Sequence, residues 1–329
     1  MIACCALAPL AACTRQYLVS DSGPQAYYQT AFPIRDTSGE LERIARSMRR
    51  ISVTAYYTVY RFARQDSITE ADLRDARTLD RARERFDFDQ SKGGTGTIID
   101  LRTDRVTLIT NDHVIRTPDT VIVHFAADPP SRRRSARPIE SIAIRQTQRR
   151  FVVGFPDPEP FTVAARDSVA DLALIDVRLP NADRTTGIYA LATPLGDASR
   201  LAWGSFVYVI GFPRGQHMVT RGIVSDPGYR SGDAFLVDGL FNRGMSGGLV
   251  LAVRGDSGAL EWVGIATSAA ADSDDRLRPE SRDLEEEGLL VPYEGLLYFE
   301  RTSRIQYGIT YPVSMTAIRD FLRRSGRLP

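Results

Sequence analysis

A serine enclosed by glycines is the first feature of this chain with chemistry in it: Asn242 to Gly248 reads NRGMSGG, which places Ser246 inside G-x-S-G-G. Glycines have no Cβ, so the backbone can fold tightly around the hydroxyl and main-chain N–H groups can converge where an oxyanion would form. A plain glycine-rich turn has the same composition, whereas a phosphate-cradling loop needs a GK[ST] ending and a following helix, which this segment lacks. A serine hydroxyl attacks a carbonyl only when a base takes its proton, and the chain offers His113, His124 and His217. His113, in Leu108-Ile-Thr-Asn-Asp-His-Val-Ile115, follows an apolar run at the start of a turn and suits that role best. His124 lies inside an alternating strand pattern and His217 in a polar turn. A carboxylate must then hold the imidazole tautomer. Asp171, heading the apolar run Asp171-Leu-Ala-Leu-Ile-Asp-Val177, is suited to burial, and Asp176 stands as a second candidate.

The elements that must carry these groups read as strands. From Gly94 onward, short β-branched runs alternate with turn residues, among them Thr95–Leu101, Val106–Thr110, Leu172–Val177, Ser205–Ile210, Gly248–Val253 and Trp262–Thr267. Regular short strands without long helices between them predict an all-β barrel or sandwich. Ser38–Arg50 has helical spacing and passes into a strand over Ile51–Phe62. Thr69–Arg85 opens like a capping box and predicts a charged surface helix, and Met315–Arg324 predicts a closing helix. Ala127–Pro138, rich in Pro and Arg, and the acidic Asp272–Glu287 read as solvated inserted loops.

Composition removes several classes of function. The 329 residues allow about two compact domains. With 42 basic against 41 acidic side chains, bulk charge does not point to a nucleic-acid partner. All the bases but Lys92 are arginine. The cysteines, Cys4, Cys5 and Cys13, crowd the N-terminus, which leaves the body without a disulfide framework, a thiol nucleophile or a cysteine metal site. The three histidines are too dispersed for a metal motif. Residues 1–13 are uncharged and apolar but too short to span a bilayer. Leu10-Ala-Ala-Cys13 resembles the lipobox of bacterial lipoproteins, which implies lipidation at Cys13 and a membrane-anchored protein on the periplasmic or extracellular side of the bacterial envelope.

Taken together the motifs resemble a trypsin-like serine peptidase of the HtrA/DegP type. The resemblance rests on Gly94-Thr-Gly-Thr97, Thr110-Asn-Asp-His-Val114, Asp171-Leu-Ala-Leu-Ile175, Gly211-Phe-Pro-Arg-Gly215 followed by Thr220-Arg-Gly-Ile-Val-Ser225, and Asp238 to Gly248, in the family order. It implies an all-β, two-barrel chymotrypsin-like fold over 94–329, closed by a C-terminal helix. A helical N-terminal extension would occupy 14–93, behind the signal segment 1–13. It implies Ser246 as nucleophile, His113 as base, Asp171 as its orienting carboxylate, and the amides of Gly244 and Ser246 as the oxyanion hole. Residues 264–269 would pair with an extended protein or peptide substrate, through Thr267, Ser268 and Ala269, with Thr267 also bonding Asp171. Leu240 would form an apolar floor of the specificity pocket, with Gly308 and Thr310 on its wall, so cleavage is expected after small or medium apolar residues. No metal or cofactor is implied. Met245 replaces the Asn or Asp usual in the family, which removes a carboxylate partner for a newly cut N-terminus. Too few residues follow Ser246 for a PDZ domain after the barrel. Two other readings share these groups: a latent or inactive peptidase-fold binding or scaffold protein of the envelope, and an esterase.

Overall fold

Strand formation follows the β-branched runs. The computed structural model describes residues 27–32, 35–125, 137–155, 160–179, 187–279 and 297–328, with backbone alone at 230–231, 268–279 and 297–307. Cys13 and most of the Pro/Arg insert lie outside them, as do 280–296 of the acidic insert and its surroundings.

The first half builds an open seven-stranded sheet from β1 (Met48–Arg61), β2 (Glu84–Leu101), β3 (Arg105–Thr110), β4 (Thr120–His124), β5 (Ile139–Val153), β6 (Thr162–Asp167) and β7 (Leu172–Arg178), in the order β4-β5-β1-β2-β3-β7-β6. The second half closes a barrel from β8 (Phe206–Gly211), β9 (Met218–Asp226), β10 (Leu236–Gly239), β11 (Leu249–Val253), β12 (Leu260–Pro279) and β13 (Leu297–Ser314). Along β1, Ile51, Val53, Ala55 and Tyr57 are buried while Ser52, Thr54 and Tyr56 between them are half-exposed, the period-two pattern of a sheet with one face on a core. All five residues of β11 are buried, as its unbroken apolar run requires of a central barrel strand.

Three expectations are corrected. Helix α1 covers only Ser38–Ala45, because the Ser47 hydroxyl donates to the Ile44 carbonyl at 2.6 Å and the chain turns into β1. Thr69–Arg85 is not a helix but two short 3₁₀ turns, Asp72–Arg74 and Ala76–Arg81, followed directly by β2. Side chains there compete with the helix ladder. Asp72 accepts from the Thr69 N–H and hydroxyl at 2.8 and 2.7 Å, and the Thr78 hydroxyl takes the Asp72 carbonyl at 2.6 Å. The acidic segment 272–279 is not loop but part of β12, paired with 297–304 of β13. β2 runs unbroken from Glu84 to Leu101, and β1 is an inner strand of the first sheet.

Two short helices complete the frame: α2 (Asp112–Ile115) after β3, and α3 (Met315–Arg324) at the end. In α3, Ile318, Phe321 and Leu322 are buried at helical spacing, and the Ser314 hydroxyl caps the Ala317 N–H.

The segment before α1 is tied to the second barrel by Tyr28. Its hydroxyl donates to Glu261 Oε2 at 3.0 Å and accepts from the Asp197 N–H at 2.9 Å, with its ring 1% exposed. Burial above all pushes the phenol well above its ordinary value. Tyr28→Phe therefore leaves Glu261 Oε2 and the Asp197 N–H without this partner, while Arg254 still pairs with Oε1, and is expected to lower stability by about 1–3 kcal/mol. Equilibrium denaturation reads this, and a change under about 0.5 kcal/mol would contradict it.

Candidate active site

Asp171 is placed by the turn between β6 and β7, with φ +55, a left-handed backbone that Asp tolerates better than most residues. The conformation is locked: the Asp171 carbonyl accepts from Asn111 Nδ2 at 2.8 Å and from the Asp112 N–H at 3.3 Å. Strain held this firmly is found where function needs a fixed geometry. The carboxylate thereby reaches α2, where Oδ1 accepts from the His113 N–H at 2.9 Å and Oδ2 lies 2.7 Å from His113 Nδ1. Thr267, on β12, donates its hydroxyl to the same Oδ2. Burial pushes the Asp171 carboxyl up, but the bonds from His113 and Thr267 and the His113 charge outweigh it and hold the carboxyl below its ordinary value. An ionised Asp171 next to Nδ1 fixes the tautomer that leaves Nε2 free as an acceptor.

The serine loop between β10 and β11 docks on the first sheet through Thr95 of β2. The Thr95 N–H donates to the Ser246 carbonyl at 2.7 Å, and its hydroxyl donates to the Gly244 carbonyl at 2.8 Å while accepting from the Phe212 N–H at 2.9 Å. Its own carbonyl accepts from the Thr110 hydroxyl at 2.7 Å. Gly247 lies so close to that carbonyl, at φ +86, that any Cβ would collide with it. The sequence pattern predicts a strand over Thr95–Leu101; it does not reveal that one buried threonine side chain joins three segments around the site. Thr95→Val keeps the shape but leaves the Gly244 carbonyl and the Phe212 N–H unpaired, about 1–3 kcal/mol each. It is expected to lower kcat/KM on a peptide substrate by about 10–100-fold, by displacing the Gly244 peptide, and a loss under twofold would contradict a positioning role.

Gly244 has φ +102, and the preceding Arg243 carbonyl accepts from the Arg214 N–H at 3.1 Å. Across a trans peptide this turns the Gly244 N–H to the opposite side. Among the described residues neither the Gly244 nor the Ser246 N–H donates to another protein group, so both are available to an oxyanion. His113, Gly244 and Ser246 share one cleft of about 700 Å³. The imidazole is 43% exposed and open to a substrate.

Two placements differ from expectation. The Ser246 hydroxyl donates to the Thr267 carbonyl at 2.8 Å, so it is aimed at β12 and not at the imidazole. Leu240, just past the end of β10, is 60% exposed and so forms no closed apolar floor; the turn leaving β10 carries it out to solvent. On the expected wall, Thr310 is fully buried in β13 and Gly308 pairs with Gly239. The backbone of Ser268 and Ala269 pairs with Tyr311 and Thr310, and the side chains of these two residues lie outside the described set. The other histidines are elsewhere: His124 Nε2 lies 3.2 Å from Glu70, and His217 packs 5.0 Å from the Phe212 ring. Asp176, the second candidate carboxylate, accepts from the Thr107 hydroxyl at 2.6 Å and faces Arg105 and Arg327 instead. No group of metal-binding side chains occurs among the described residues.

The family model for the trypsin-like peptidase domain matches residues 94–264. A serine endoprotease from Yersinia pestis is a structural neighbour at TM-score 0.41 and 17% identity, over 90% of this chain and 68% of that one. No curated protein matches the sequence.

Proposed function

The chain belongs to the trypsin-like peptidase family, and from that premise we propose that it is a serine endopeptidase acting on protein substrates through Ser246, His113 and Asp171. The observation that carries this is the double hold on Asp171, from His113 Nδ1 and Thr267, in company with Ser246, whose own N–H and that of Gly244 donate to no other group among the described residues. In the reaction His113 Nε2 takes the Ser246 proton as Oγ bonds the peptide carbonyl carbon. The tetrahedral oxyanion is bound by the amides of Gly244 and Ser246, a contribution of about 3–4 kcal/mol per donor. Collapse breaks the C–N bond, and the imidazolium gives its proton to the departing amine. Water then attacks the acyl carbon and gives a proton to His113; the C–Oγ bond breaks, the carboxylic acid product leaves, and His113 returns the proton to Ser246 Oγ.

The bond from Ser246 to the Thr267 carbonyl favours reading this conformation as a resting one. On this reading catalysis requires the hydroxyl to leave that carbonyl and turn to Nε2, at a cost of about 1 kcal/mol for the bond given up. The exposed Leu240 supports the same reading, with the specificity pocket closing around substrate. Peptide-library cleavage tests the function; cleavage chiefly after Arg would contradict an apolar preference.

The lipobox-like Leu10-Ala-Ala-Cys13 supports anchoring of this peptidase to the envelope membrane through Cys13. Among the described residues no helix is long and apolar enough to cross a membrane. Cys13→Ser is expected to move the protein from the membrane to the soluble fraction, and unchanged fractionation would overturn the anchor.

A further inference from the structure

The cleft that holds His113 and Ser246 is lined by four cations, Arg50, Lys92, Arg214 and Arg243, and by no carboxylate. In a chain whose charges almost cancel, this is a local departure. Several arginines elsewhere are matched to acids, among them Arg145 with Asp119, Arg166 with Asp112 and Arg254 with Glu261. Among the described residues Arg50, Arg214 and Arg243 make no ion pair, and Lys92 donates to the Arg116 carbonyl at 3.0 Å. Arg214 and Arg243 are exposed, while Arg50 is half-buried with its guanidinium against Gly215. Arg214 is also held at φ +50, a left-handed conformation unfavourable for a long side chain, by the bond from its N–H to the Arg243 carbonyl. Like charges converging on a walled cleft raise its positive potential, and an anionic ligand relieves the repulsion.

The position of the cleft says which part of a substrate meets these charges. Thr267, on the strand expected to pair with the residues before the scissile bond, lines a different cavity of about 490 Å³ beside Asp171. A chain leaving that strand across Ser246 runs next between Gly94 and Gly244 into the cationic cleft. We propose that this cleft selects substrates with Asp or Glu in the first few positions C-terminal to the scissile bond, an inference that rests on the endopeptidase reading and adds the substrate class. The bases are contributed by β1, β2, the turn after β8 and the serine loop, so the preference is built into the walls of the site.

The test compares three peptides identical up to the scissile bond and followed by Asp-Glu-Asp, Asn-Gln-Asn or Lys-Arg-Lys. The acidic peptide is expected to show kcat/KM at least tenfold above the amide peptide and to lose that advantage as NaCl rises from about 50 to 500 mM. The double variant Arg50→Gln, Lys92→Gln is expected to reduce the ratio of kcat/KM for the acidic over the amide peptide severalfold. Equal cleavage of acidic and amide peptides overturns this inference alone. A preference undiminished in the double variant also overturns it. Cleavage of none of the three overturns both it and the reading beneath it. Equal cleavage combined with inhibition by a short oligonucleotide would assign the cleft to a polyanion instead and likewise overturn it.

Discussion

Ser246→Ala is expected to lower kcat on any cleaved peptide by about a million-fold, the loss found when an activated serine nucleophile is removed. The effect is large because the hydroxyl is the only atom that forms the acyl bond, while the oxyanion amides alone retain about a thousandfold or more over water. The fold should barely respond. Ser246 is half-buried and its hydroxyl makes one bond, to the Thr267 carbonyl, so stability should change by no more than about 1 kcal/mol. Progress curves at high enzyme concentration with a parallel melting curve check both parts. A variant retaining a tenth of wild-type turnover would mean that Ser246 is not the nucleophile.

Asp171→Asn is expected to cost about ten-thousand-fold in kcat with the backbone intact. The cause lies in the order of the hydrogen bonds around the carboxylate. The His113 N–H needs an acceptor where Oδ1 stands, so the asparagine carbonyl takes that position and its NH₂ turns to His113 Nδ1. The imidazole is then forced into the tautomer protonated at Nε2, which cannot accept the serine proton. The same substitution carries a stability signature. Because the folded carboxyl lies below its unfolded value, its ionised form stabilises the fold above the ordinary carboxylate range, and this is lost as pH falls through the depressed folded value. Asp171→Asn should therefore flatten part of the acid side of the stability profile. An activity loss under a hundredfold would contradict the orienting role.

How much of this was legible in the sequence depends on whether the information is local. Helix α3 appears at its expected residues, Met315–Arg324, because a serine cap and a helical apolar stripe are both local signals. The strand Leu172–Arg178 and the buried β11 follow from apolar runs too short for helices. The Thr69–Arg85 helix failed because Asp72 and Thr78 spend their hydrogen bonds on turns, which the charge pattern conceals. The joining role of Thr95 was not legible at all. Its partners Gly244, Ser246 and Phe212 are more than a hundred residues away, and a threonine in a strand signals only β-propensity. The meeting of His113, Asp171 and Thr267 could be anticipated only through the family resemblance, whereas the direction of the Ser246 hydroxyl is a rotamer that no motif encodes. The cationic cleft escaped the sequence because its four bases come from four separate segments of a nearly neutral chain.

The measurement that tests the central claim most directly is intact-mass analysis after incubation with a fluorophosphonate, applied to wild type, Ser246→Ala and His113→Ala. The reagent reports an activated serine without requiring a known substrate. The expected result is one covalent adduct on wild type and none on either variant, which would mean that the Ser246 hydroxyl leaves the Thr267 carbonyl and meets the imidazole. A folded wild-type protein that forms no adduct, or an adduct that persists in Ser246→Ala, would contradict the assignment of Ser246, His113 and Asp171 as a working catalytic site.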